Sequence, residues 1–335
     1  MCTSFFVIEE STSAQTHCMS SARYLVTGGA GFIGSHIAAT LLKQGENVRV
    51  LDNLSTGRES NLQAFEGLPG TVEIIRGDIR DLAIVKKAAE GVEVVFHQAA
   101  LASVPRSIAD PVTSLEVNVN GTQNVLVAAR DAKARRVVFA SSSSVYGNTP
   151  TLPKHEEMPT SPMSPYAVHK LTGELLCSVF NSIYGLETVA LRYFNVFGPR
   201  QDPKSEYAAV IPRFLTALLT KEQPIVFGDG EQTRDFTFVA NVVQANLKAA
   251  TAPDAVGQAM NVGCGERISL NEVLQIAGEL LETSTNIDYR DPRPGDVRDS
   301  LADISKAQRL IGYDPTIKFA EGLAQTLEAL RISIS

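Results

Sequence analysis

The 335-residue chain has no tryptophan, five histidines and four cysteines. Cys2, Cys18, Cys177 and Cys264 show no CxxC spacing, and His17, His36, His97, His155 and His169 form no HxxxH pair. A disulfide framework and a metal site are therefore not expected, and a reducing cytoplasmic compartment fits the cysteine usage. No apolar run approaches the ~18 residues of a membrane span. Basic residues are in deficit, 30 Lys and Arg against 37 Asp and Glu, for a net charge of −7. A protein that tracks nucleic-acid phosphates usually shows the reverse balance. Internal repeats and low-complexity stretches are also missing.

With 44% hydrophobic residues, 24 Gly and 16 Pro, the composition is that of a globular protein. At about 100–200 residues per domain, the length suits two domains, or one large domain with a lobe. Residues 1–21 read as a polar leader. Their apolar run Phe5–Ile8 is too short for a signal peptide, Glu9 and Glu10 follow it, and it supports at most one helical turn. Met19 offers an alternative start, and no function is expected of this segment.

Strand-like Arg23–Thr27 runs into GGAGFIG, then helical periodicity through Ile37, Leu41 and Leu42 to Gly45, then β-branched Val48–Asp52. That order is a βαβ unit. Further strands are expected at 72–76, 92–97, 136–141 and 187–192, with helices at 111–131 and 166–184. The alternation predicts an α/β fold, a Rossmann-like doubly wound parallel sheet covered on both faces. After Arg192 the rhythm loosens into Gly-, Pro- and charge-rich loops between short helices near 210–221, 239–251, 269–281, 304–311 and 319–331. The expected division is a dinucleotide-binding domain over 22–192, with returning segments near 236–262, and a smaller, discontinuous α/β substrate-binding lobe over 193–335.

Gly28, Gly31 and Gly34 permit a tight turn and close backbone approach to a pyrophosphate, at a helix start whose N–H groups and positive dipole end favour anions. About 20 residues on, Asp52 ends the next strand, where a carboxylate bonds both ribose hydroxyls of NAD and repels a 2′-phosphate. Tyr166 and Lys170 stand four apart near a helix start and share one face. A lysine beside a phenol favours the phenolate. A free tyrosine titrates near 10, and lowering that by ~3 units takes ~4 kcal/mol. YxxxK is frequent by chance, and so are serine-rich turns. Here the strand running into Ser141–Ser144 ends where ligands bind in such sheets, so a serine hydroxyl can meet the substrate oxygen that Tyr166 deprotonates.

Taken together, TGGAGFIGSH, LDNLSTG, GDIRD, HQAA, NVNGT, ASSSSVYG, SPYAVHK, LRYFNVFGPRQ and GDGEQTRDF resemble the extended short-chain dehydrogenases/reductases that act on nucleotide sugars. The resemblance runs in order over residues 23–330. HQAALASVPRS, RQDPKSEYAAVIP and GDVRDSLADISKA resemble above all bacterial UDP-N-acetylglucosamine 4-epimerases.

The resemblance implies an NAD-dependent isomerase with these roles. Gly28, Gly31, Phe32, Ile33 and Gly34 hold the pyrophosphate. Asp52, Asn53, Ser55 and Gly57 surround the adenosine ribose, with Asp78 and Ile79 at the adenine. Gln98, Ala99, Ala100, Asn118 and Tyr193 border the rest of the cofactor. Tyr166 is the base, Lys170 bonds the nicotinamide ribose, and Ser142 with Ser143 orients the sugar 4-hydroxyl. Asn195, Arg234 and Arg293 address the diphosphate and Asp296 the uridine ribose, while Phe227 or Ile225 faces uracil. Ala102, Gln201, Ala209, Val210 and Ser300 line the sugar region.

Related dehydratases carry an Asp-Glu pair after the strand-end hydroxyl, where this chain has Ser143 and Ser144, so no elimination is expected. Relatives restricted to glucose and galactose place Tyr at the position of Ser300, and a small residue leaves room for an N-acetyl group. Ala102 stands where the N-acetyl-preferring subgroup has Gly, which argues for tolerance of plain hexoses. The expected reaction is UDP-GlcNAc to UDP-GalNAc through a 4-keto sugar. A UDP-glucuronate 4-epimerase or decarboxylase is the alternative, since SSSSVYG also occurs there, and a non-catalytic NAD sensor is a third reading. Relatives dimerise through helices equivalent to 111–131 and 166–184, where Val125, Leu126, Leu175 and Val179 are expected exposed, although at least half of them would pack on the sheet.

Overall fold

The computed structural model describes residues 6–7, 22–203, 209–292 and 298–334. In chain order its strands are β1 (Phe6–Val7), β2 (Tyr24–Thr27), β3 (Asn47–Asp52), β4 (Thr71–Arg76), β5 (Val94–His97), β6 (Arg136–Ser142), β7 (Glu187–Tyr193), β8 (Val196–Phe197), β9 (Ile225–Phe227), β10 (Thr233–Arg234), β11 (Thr237–Phe238), β12 (Ala259–Val262), β13 (Ile268–Ser269) and β14 (Asp288–Arg290). The α-helices are α1 (Phe32–Lys43), α2 (Glu59–Gln63), α3 (Leu82–Ala89), α4 (Val104–Ala109), α5 (Pro111–Leu115), α6 (Thr122–Asp131), α7 (Pro165–Tyr184), α8 (Val210–Leu219), α9 (Val239–Ala249), α10 (Leu270–Leu281), α11 (Ser305–Ile311) and α12 (Phe319–Ile334).

The main sheet has the order β1-β4-β3-β2-β5-β6-β7-β12. β1 to β6 pair in parallel throughout. Strand order reverses between β2 and β5, the switch point at which doubly wound sheets bind ligands. Every residue of β2 and β5 is buried, as expected of strands covered on both faces.

The chain divides into two compact units. The first comprises 1–142, 164–191 and 243–259, and the second 143–163, 192–242 and 260–335. The core of the first unit packs Leu25, Val95, Val137 and Phe139 of the sheet with Val125, Leu126 and Ala129 of α6 and Phe180 of α7. In the second unit Phe197 stacks with Phe236, Phe238 and Phe319 at centroid distances of 5.3–6.2 Å.

Four expectations need correction. Phe6–Val7 form an edge strand, paired with Glu73 and Ile74, rather than a helical turn. Phe6 and Val7 find backbone partners on an open sheet edge, which a lone helical turn lacks. The helix expected over 111–131 is interrupted by a π-helical turn at Glu116–Gly121. There the Asn118 side chain bonds both backbone groups of Leu101, and a Cβ on Gly121 would lie 2.5 Å from the Ile79 side chain. Val125 and Leu126 are buried at 1% and 0%, because α6 packs on the sheet, whereas Leu175 and Val179 stand 60% and 43% exposed. Finally, residues 143–163, read in sequence as part of the first domain, group with the second unit. Tyr146 donates to Asn261 Oδ1 at 2.7 Å, and Lys154 and Asp303 exchange backbone bonds with their surroundings in that unit.

Candidate active site

In the first unit, Gly28 follows β2 with φ +71°, and a Cβ there would lie 2.7 Å from the Ala99 backbone. On Gly34 it would fall 2.2 Å from the Gly28 carbonyl oxygen. Glycine at both positions lets the turn, the loop after β5 and the start of α1 approach closely. Gly31 is the N-cap of α1 and brings no capping side chain, so Phe32 and Ile33 open a helix with its positive end uncovered.

Asp52 is 9% exposed, and its Oδ2 accepts from Ala30 N–H at 2.9 Å and its Oδ1 from Leu54 N–H at 2.8 Å. Burial raises its pKa while these two bonds oppose the rise. A Cβ on Gly57 would lie 2.9 Å from Asp52 Oδ1, so the loop wraps closely around this carboxylate. Asn53 donates to Asp78 at 2.8 Å and accepts from Ser55 N–H at 3.0 Å. The forked Arg80 guanidinium holds Asp78 down at about 2. Ile79 is buried beside it. Gln98 donates to Asn246 at 3.2 Å, Ala99 N–H reaches Thr27 Oγ1 at 3.3 Å, and Asn118 pins the segment through Leu101, leaving Ala102 exposed. An uncapped helix start, a glycine turn packed against backbone and an oriented acid at the next strand end fit a dinucleotide.

The second group of this unit stands on α7. Ser164 caps the helix by accepting from Ala167 N–H at 3.2 Å, Pro165 fills the first helical position, and Gly185 closes it at φ +70°. This start places Tyr166 and Lys170 one turn apart on the face toward β6. Lys170 is 4% exposed and donates to the Ala140 carbonyl at 2.7 Å. Its ammonium lies 5.8 Å from the Tyr166 ring centroid and 5.1 Å from that of Phe139. Ser142, the last residue of β6, hydrogen-bonds to Tyr166. Desolvation pushes Tyr166 up to about 12, opposed by the Ser142 bond, and pulls Lys170 down to about 8.

In the second unit, Ser143 opens a 3-10 turn and Tyr193 is buried at 7%. Asn195, at φ +32°, donates to the Asp235 carbonyl and to Ser300 Oγ, both at 3.3 Å. Asp235 is fully buried and accepts from the N–H groups of Cys264, Gly265 and Ala302 at 2.7–3.0 Å. Burial pushes it up to about 6, and these bonds restrain the rise. A cavity of about 210 Å³ is lined by Asn195, Val210, Phe227 and Arg234, and also by Ile225, Arg213 and Gln232. Ile225 and Phe227 thus share one cavity. Gln201 donates to the Val196 carbonyl at 3.3 Å, and Ala209 is the exposed N-cap of α8. Arg293 and Asp296 lie outside the described residues.

Sequence reasoning missed Arg213 and Gln232, which carry no motif of their own. It also missed Glu174, which helical spacing from Tyr166 and Lys170 could have flagged.

The chain matches the NAD dependent epimerase/dehydratase family over residues 24–263. It is 42% identical over 311 residues to a UDP-glucose 4-epimerase of Mycolicibacterium smegmatis, covering 92% of this chain and 98% of that one. A UDP-glucuronate 4-epimerase of Thermodesulfobacterium geofontis is 34% identical over 314 residues, at 91% and 94% coverage. The solved UDP-N-acetylglucosamine 4-epimerase of Methanobrevibacter ruminantium M1, in complex with UDP-N-acetylmuramic acid, superposes with a TM-score of 0.88 at 41% identity, covering 95% of this chain and 100% of that one. The chain therefore belongs to the NAD-dependent epimerase/dehydratase family of extended short-chain dehydrogenases/reductases, and NAD is its cofactor.

Proposed function

We propose that this protein interconverts UDP-sugars at C4, with UDP-N-acetylglucosamine and UDP-N-acetylgalactosamine as the preferred pair and tolerance for UDP-glucose and UDP-galactose. The observation that carries the reading is the half-buried corner where Ser142 bonds Tyr166 and the buried Lys170 stands one turn away. When bound, NAD would supply reversible hydride acceptance for a C4 oxidation and re-reduction of the sugar. Tyr166 takes the O4 proton and gives it back, while the Lys170 charge stabilises the phenolate. Lys170 spends one N–H on Ala140, which leaves two for the nicotinamide ribose. Ser142, with Ser143, orients the 4-hydroxyl.

The Gly28–Gly34 turn holds the pyrophosphate, Asp52, Asn53, Ser55 and Gly57 the adenosine ribose, and Asp78 and Ile79 the adenine. Gln98, Ala99, Ala100 and Asn118 shape the remaining wall in the first unit, and Tyr193 is assigned to the nicotinamide. In the second unit Asn195 and Arg234, joined by Arg293, take the diphosphate. Ile225 and Phe227 take uracil, and Asp296 takes its ribose. Gln201, Ala209, Val210 and Ser300 of this unit bound the sugar. Serine at 300 supports the N-acetyl preference, because it leaves the space a tyrosine would fill. Ser143 and Ser144 supply no acid–base pair for dehydration.

The test is to incubate purified protein with UDP-GlcNAc, UDP-glucose and UDP-glucuronate in parallel. UDP-GalNAc formed fastest supports the reading. Turnover of UDP-glucuronate alone, or CO₂ release from it, replaces the substrate assignment, and no turnover with NAD bound favours a sensor. A homodimer also belongs to this proposal. Leu175, Val179 and Ile183 of α7, with Ile108 of α4 and Val112 of α5, are 43–69% exposed, and an apolar ridge of this kind suits an isologous contact. Sedimentation at two concentrations reads it directly.

A further inference from the structure

Glu174 is a buried carboxylate, 8% exposed, with no part in the chemistry described above. It stands on the α7 face of Tyr166 and Lys170, at the i+8 and i+4 positions from them, which a helix brings to one side. The Ser141 hydroxyl donates a hydrogen bond to Glu174 Oε1.

This bond belongs to a larger grip of α7 on the end of β6. A Cβ on Gly173 would fall 2.3 Å from the Phe139 ring, so helix and strand touch at that level. Lys170 holds the Ala140 carbonyl at 2.7 Å, Glu174 holds Ser141, and Tyr166 bonds Ser142. Four consecutive strand residues are each engaged by one residue of a single helix face.

A neutral serine in this run of four would readily bond its own backbone, as strand-end and turn serines do. A buried side-chain acceptor aimed at the Ser141 hydroxyl outcompetes those backbone groups and selects a single Ser141 rotamer. Ser142 is the next residue, so any shift of Ser141 is passed directly to the hydroxyl that meets Tyr166.

We propose that Glu174 is a positioning residue. By holding the Ser141 hydroxyl, its carboxylate fixes the end of β6 so that Ser142 stays bonded to Tyr166. The inference rests on the roles given above to Tyr166 and Ser142.

The experiment compares wild type, Ser141→Ala, Glu174→Leu, Glu174→Gln and the double variant Ser141→Ala/Glu174→Leu, with UDP-sugar turnover, bound NAD and melting temperature measured on each. Ser141→Ala and Glu174→Leu are expected to lower kcat about tenfold, with KM and NAD content within about twofold of wild type. Glu174→Gln keeps an acceptor of the same shape and should recover most of kcat. The double variant should be no slower than the slower single one, because both break one bond. An unchanged kcat in Ser141→Ala overturns the inference, and remains decisive if Glu174→Leu fails to fold. Losses confined to KM or melting temperature, or single effects that multiply, overturn it as well. A wild type inert on every UDP-sugar instead refutes the proposed function itself.

Discussion

Replacing Lys170 by methionine tests how the phenol ionises. Tyr166 is pushed up to about 12 by desolvation, and bringing it near 7 takes about five pKa units, roughly 7 kcal/mol. The Lys170 ammonium is the nearest fixed charge on its helix, 5.8 Å from the ring centroid. At that distance, with an effective dielectric near 20, a unit charge is worth about 3 kcal/mol, or about two pKa units. Lys170→Met keeps the length and removes the charge. The pKa of the acid limb of the kcat profile should rise by about two units, so that kcat at pH 7 falls about a hundredfold. A second signature comes from wild type. Lys170 is pulled down to about 8 and sheds its charge above that pH, so an alkaline limb should begin there and vanish in the variant. The assay is kcat from pH 5.5 to 9.5 at saturating UDP-sugar. Superimposable profiles would refute the electrostatic reasoning.

Three further outcomes follow from the structure. Gly34→Ala drives a methyl to within 2.2 Å of the Gly28 carbonyl oxygen, and the purified protein should retain less than about a tenth of the wild-type NAD, read from the nucleotide released on acid precipitation. His97 is buried between Thr27 and Thr122, and desolvation, helped by the Lys170 charge, holds it down at about 3. The unfolded chain binds this proton first, so stability is complete above the unfolded value near 6.5 and falls with pH toward about 3, by up to about 1.4 kcal/mol per unit. Urea unfolding of wild type and His97→Asn across that window should show a shallower acid slope in the variant. Ser300→Tyr should cut turnover of UDP-GlcNAc more than tenfold while sparing UDP-glucose, as a parallel kcat/KM comparison would show.

The sheet was legible because its strands are continuous apolar runs between helical periodicities, and the observed β6, Arg136–Ser142, begins at the residue expected and ends one residue later. The interruption at Glu116–Gly121 was not legible, because it is set by contacts distant in sequence: Asn118 with Leu101, and Gly121 against Ile79. That half of Val125, Leu126, Leu175 and Val179 would pack on the sheet was expected, but which half was not legible, for a related reason. Helical spacing identifies an apolar face without saying whether sheet or solvent meets it. Tyr166, Lys170 and the strand-end serines were readable because one helix face and one strand end carry them. Gln232 and Arg213 reach the cavity through loop and helix placements that have no periodic signal.

The most direct measurement of the central claim uses UDP-N-acetylglucosamine carrying deuterium at C4, with the equilibrated product examined by NMR. Borrowed and returned hydride predicts UDP-N-acetylgalactosamine that keeps its C4 deuterium in ordinary water, and a Tyr166→Phe variant slowed at least a hundredfold. Deuterium washed out into solvent, or full activity without the Tyr166 hydroxyl, would contradict the account.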